Sequence, residues 1–73
     1  MGEDRTLRKR SFQLAGHRTS VALEAEFWAA LEGIAGRRGQ SLAGLVTEVD
    51  IARAGSNRPL ASALRVFALA ERP

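Results

Sequence analysis

Five basic residues, Arg5, Arg8, Lys9, Arg10 and Arg18, crowd the first 18 positions against two acids, Glu3 and Asp4. The rest of the chain holds six basic and six acidic residues, so the whole formal excess of +3 sits at the front. The chemistry such a cluster can do is to hold an anion, with nucleic acid ahead of a membrane surface. Catalytic arrangements are missing. Ser41 has no identifiable base beside it, and His17 is the single histidine. Glu48 and Asp50 are two apart and share no helix face, so they cannot work as an acid–base pair. No phosphate-loop, dinucleotide or zinc-ligand spacing occurs, and there is no Cys. The residues therefore point to recognition, with no enzyme, cofactor or metal expected.

What must position these residues is small. The chain has 73 residues, enough for one domain. Below roughly 80 residues a single core seldom suffices, and small folds add disulfides, metals or association. Without Cys, the expected staple is a second chain. No apolar run reaches the roughly 18–20 residues of a membrane span, and no signal peptide is visible, so the expected location is the cytoplasm.

Residues 1–10, MGEDRTLRKR, read as a basic flexible arm, and residues 11–73 as the domain. Phe12 and Leu14 alternate with Ser11, Gln13 and Ala15. After Gly16, Thr19, Val21 and Leu23 alternate with Arg18, Ser20 and Ala22. Period two with β-branched residues predicts strand. Gly16 is either a bend between two short strands or a bulge in one. Residues 24–37 change to helical period, with Phe27, Trp28, Leu31, Ile34 and Ala35 in one stripe. Glu24 and Glu26 suit the start of that helix, and Arg37 and Arg38 its end. Gly39 follows as a stop signal. Only one of Phe27 and Trp28 can point straight at the core, and Trp28 is expected against a third helix or a partner chain.

Ser41 caps a second helix over 41–54, with Leu42, Leu45, Val46 and Val49 as its stripe. Ile51 lies off that stripe, which predicts contact with a third element or a partner. The turn at 55–58 leads to a third helix over 57–71, capped by Asn57, with Leu60, Leu64, Phe67 and Ala68 inward. A lone strand region cannot leave its backbone groups unpaired. Pairing with the same strand of a second copy about a two-fold axis meets that need.

The order strand, helix, short Gly/Ser turn, helix resembles the ribbon-helix-helix family of dimeric DNA binders, the Arc and MetJ type. RTSVAL at 18–23, residues 24–38, and the GQSL opening of the second helix carry the resemblance. The GHRTS and FW pieces also resemble a bacterial subgroup of ribbon-helix-helix domains, over roughly residues 10–68. The resemblance implies a mainly α fold with one β ribbon, a β-α-α core plus a C-terminal third helix, as an intertwined homodimer.

It also implies two contact sets on double-stranded DNA. Thr19, Val21 and Leu23 would pack inward, and Arg18, Ser20 and Ala22 would face bases in the major groove. Arg can bond guanine bidentately, Ser can meet a donor or acceptor, and Ala can touch a thymine methyl. Gly39, Gln40, Ser41 and Leu42, at the start of the second helix, would hold a phosphate through free N–H groups. Family members often carry Asn two residues after that Ser, where this chain has Ala43, so the anchor rests on backbone amides. Arg8, Lys9, Arg10 and His17 would add phosphate contacts. The expected function is a sequence-selective DNA-binding transcriptional regulator at the nucleoid, a homodimer able to assemble further on DNA. The rival reading is a protein-interaction module, antitoxin-like or an adaptor, that uses the third helix or the arm. The third helix serves either packing or such a partner.

Overall fold

The computed structural model describes residues 6–71. In chain order these form β1 (Arg8–Leu14), β2 (His17–Leu23), α1 (Ala25–Arg37), α2 (Leu42–Ala52) and α3 (Leu60–Glu71). The two strands pair antiparallel as a hairpin, from Arg8 opposite Leu23 to Leu14 opposite His17. Gly16 is thus part of a turn between two strands rather than a bulge in one. Ala15 and Gly16 both have positive φ, 49° and 83°. A two-residue hairpin turn of this kind matches the strands' right-handed twist, and glycine enters it without strain.

Two expectations change here. Residues 8–10, read as the end of a flexible arm, are the first half of β1. Of the rest of that arm, Thr6 and Leu7 are exposed and in no helix or strand, and residues 1–5 lie outside the described residues, as do Arg72 and Pro73. The strand's need for a pairing partner, assigned above to a second copy, is met inside the chain by β1. The cause is visible in α1. The Trp28 indole N–H donates to the Arg8 carbonyl at 2.8 Å, and the Arg10 guanidinium lies 4.9 Å from the Trp28 ring centroid. Arg and Lys stems cover apolar surface while their charges stay wet, so a basic run can be strand.

The core is continuous across all five elements. Phe12 and Leu14 of β1 and Val21 and Leu23 of β2 face Trp28, Leu31 and Ile34 of α1. Leu45, Val46 and Val49 of α2 and Leu60, Ala63, Leu64 and Ala68 of α3 complete it, and no polar or charged residue among the described ones is buried as a whole. Phe27 and Trp28 divide their work. Trp28, 2% exposed, packs on β1 with Phe12 at 5.9 Å between rings. Phe27 is the residue turned toward α3, where Arg65 lies over its ring. Ile51, expected against a third element or a partner chain, is 67% exposed.

The connections follow from local chemistry. Gly39 at φ 68° ends α1, with Gln40 N–H bonded to the Ala35 carbonyl and Gly39 N–H to that of Gly36. This left-handed stop satisfies carbonyls that the helix end would orphan. Ser41 then caps α2, its Oγ accepting from Gly44 N–H at 3.0 Å. α3 begins later than expected. The Pro59 carbonyl accepts from Ala63 N–H, so Asn57 lies outside the helix and does not cap it.

Candidate nucleic-acid interface

Residues directly opposite in an antiparallel pair share a face of the sheet. The register therefore sorts the hairpin into two faces. Arg10, Phe12, Leu14, Thr19, Val21 and Leu23 lie on the helix side. The other face carries three cross-strand pairs: Lys9 with Ala22, Ser11 with Ser20, and Gln13 with Arg18. Five of these six are exposed and Ala22 is partly so. The Ser11 and Ser20 hydroxyls lie 3.1 Å apart across the strands.

Arg18, Ser20 and Ala22 thus stand together on the outward face of one strand. Their neighbours Ser11 and Gln13 were not among the expected contacts. The signal was present, since Phe12 and Leu14 inward place Ser11 and Gln13 outward by the same period of two. It was unusable while the segment's pairing was open. Lys9 joins the outward face, whereas Arg8 and Arg10 belong to the alternate set. Arg10 is held by Glu32 of α1 at 2.6 Å as well as by Trp28. It ties the ribbon to the helix. His17 is exposed beside the turn, opposite Leu14.

The charges of the body are largely matched within it. Arg38, at the end of α1, reaches Glu48 of α2 at 3.6 Å and Glu71 of α3 at 3.0 Å. Arg53 pairs with Asp50 at 2.9 Å, and Arg65 of α3 with Glu24 before α1 at 2.9 Å. The Arg65 hydrogen bond, with a smaller contribution from Glu24's own backbone N–H, holds the Glu24 carboxyl below its usual value of 4.5. Lys9 and Arg18 on the ribbon have no carboxylate partner among the described residues. The outward face is therefore cationic and carries no acid.

The second group of donors opens α2. Ser41 Oγ takes the Gly44 N–H and the Ser41 carbonyl takes the Leu45 N–H. The Leu42 and Ala43 N–H groups, in the first turn, have no acceptor among the described residues. Such N–H groups with the positive end of the helix dipole favour an anion. Gln40 is engaged differently. Its side-chain N–H donates to Glu48 at 3.1 Å, and its Oε1 is buried without a donor.

A groove of about 460 Å³ lies between α2 and α3, walled by Val49, Ala52, Ala63 and Phe67. Val66 lines it and is 48% exposed. Arg58 stands at its rim, bonded to Ser62 but to no carboxylate among the described residues. No group of three His, Cys, Asp or Glu among the described residues could hold a metal ion. No helix is long and apolar enough to cross a membrane.

Comparison with known proteins agrees with this geometry. A family model described as "Ribbon-helix-helix domain" matches residues 7–71, which includes β1 and all three helices. No curated protein matches the chain, and no solved structure does.

Proposed function

From the premise that the chain belongs to the ribbon-helix-helix domain family, we propose that it binds double-stranded DNA sequence-selectively and regulates transcription at the nucleoid. One observation carries the reading. The hairpin's outward face is polar and cationic, and a two-stranded ribbon is what the major groove admits. Arg18 and Ser20 read base edges there, and Ala22 contacts a thymine methyl. Backbone amides at Ser41 and Leu42, with Arg8, Lys9 and His17, position the protein on phosphate; the Gly39 and Gln40 amides, expected to join them, are instead taken by the Gly36 and Ala35 carbonyls at the end of α1. Arg10 is assigned to packing instead, since Glu32 and Trp28 hold it. Two chains associate on DNA. The exposed Ile51 and the small core support that step, and sedimentation of the protein alone and with duplex measures it.

The test is a titration with a randomised duplex pool at several salt concentrations. Wild type retains a subset of sequences, and Arg18→Ala costs about 1–3 kcal/mol and relaxes the preference. Absence of retained duplex at low salt overturns the proposal.

A second reading, a protein-interaction module, is favoured by the α2–α3 groove. Its apolar walls and the uncompensated Arg58 suit an apolar segment bearing a carboxylate. Val66→Asp separates the two. Loss of cellular function with DNA binding intact favours the module; unchanged function favours the regulator.

A further inference from the structure

In a ribbon made by two copies of one strand, both sides offer the same residues. Here one chain supplies both strands, and they differ. Opposite Arg18 stands Gln13, opposite Ser20 stands Ser11, and opposite Ala22 stands Lys9. We propose that β1 is a second base-reading strand, with Gln13 and Ser11 as its reading residues, so that a single chain reads an asymmetric sequence. This rests on the DNA-binding function proposed above.

Three observations carry it. First, Gln13 and Ser11 are exposed on the face that holds Arg18 and Ser20, with no residue between them and solvent. Second, the chemistry is complementary. A Gln side chain bonds the adenine edge bidentately, and Arg does so with guanine. Adjacent strands lie about 4.8 Å apart, so the pair can address neighbouring positions. Third, the face is organised before binding. The Ser11–Ser20 hydroxyl contact spans the strands, and Trp28 fixes the β1 backbone at Arg8. Ordering costs that a free arm would incur on binding are therefore reduced.

Width argues for one hairpin per groove segment. Two hairpins joined edge to edge would make four strands, about 14 Å between the outer strand axes. The major groove is about 12 Å wide. A paired protein reading DNA this way must associate elsewhere than along the ribbon edges, leaving each hairpin its own asymmetric subsite.

The experiment selects duplexes from a randomised pool with the full chain and with Gln13→Ala, Gln13→Glu and Arg18→Ala. Circular dichroism verifies that each variant is folded, as exposed substitutions outside the turn should be. Gln13→Ala is expected to flatten preference at a position that Arg18→Ala leaves unchanged, by roughly 5- to 100-fold in relative affinity. Gln13→Glu should move that preference toward cytosine, whose amino group donates to a carboxylate. If both Gln13 variants keep the wild-type preference while Arg18→Ala alters it, β1 is only a scaffold and the inference is wrong. If wild type selects no duplex, the DNA-binding function itself fails and the inference falls with it.

Discussion

Trp28 is the residue that makes β1 part of the fold. Its ring packs on Phe12, its indole N–H bonds the Arg8 carbonyl, and Arg10 lies over its face. Trp28→Phe keeps most of the apolar area and removes the donor. An unpaired carbonyl in a part-buried site costs about 1–3 kcal/mol. Urea unfolding should show a loss of that order, and hydrogen exchange should show Arg8–Arg10 opening before β2. Glu24 makes a different kind of tie, joining the start of α1 to Arg65 of α3. Because its folded pKa is lowered, the ionised carboxylate is preferred in the folded state. That contribution is fully present above the unfolded value near 4.5 and is lost as pH falls through the folded pKa. Glu24→Gln should therefore be less stable than wild type near neutral pH, with the gap closing in acid. A gap that stays constant across the titration would mean that Glu24 stabilises through a contact its neutral form also makes, not through charge.

At the scale of elements, the hairpin turn is the point of local conflict. Ala15 has φ 49°, a region that L residues other than Asn and Asp enter rarely. Ala15→Asn would give the Asn-Gly pair that such turns prefer. It should raise stability by a few tenths to about 1 kcal/mol, read as a higher urea midpoint with unchanged slope. The helices show how much of the architecture is legible in order alone. The stripes of α1 and α2, the Gly39 stop and the Ser41 cap all follow from spacing and capping chemistry, because those signals act within one turn. β1 was half visible. Phe12 and Leu14 announce a strand, but Arg8, Lys9 and Arg10 look like a solvated tail, since nothing local says that Trp28, some 20 positions on, will bond them. The same gap hid Ser11 and Gln13, whose facing depends on pairing with β2. Asn57 has the side chain of a cap, yet α3 opens at Leu60 with the Pro59 carbonyl taking its first bond.

Across the whole molecule, charge is divided by use. The acids Glu24, Glu32, Glu48 and Glu71 tie elements together through arginines, and Asp50 pairs with Arg53 at the end of its own helix. Lys9 and Arg18, on the ribbon's outward face, are left uncompensated among the described residues. The hairpin's outward face thus gathers positive charge that no acid on that face offsets. Each phosphate neutralised releases counterions and adds about 0.9 to the slope of log affinity against log salt. Lys9→Ala should lower that slope by about 1 with base preference retained. Arg38→Ala removes the same formal charge from a site already enclosed by Glu48 and Glu71. It should leave the slope unchanged and cost under about 1 kcal/mol of stability, as exposed ion pairs do. Equal slope losses in both variants would mean that affinity follows net charge over the whole surface, and the ribbon would then lose its claim to be the face that meets the phosphates.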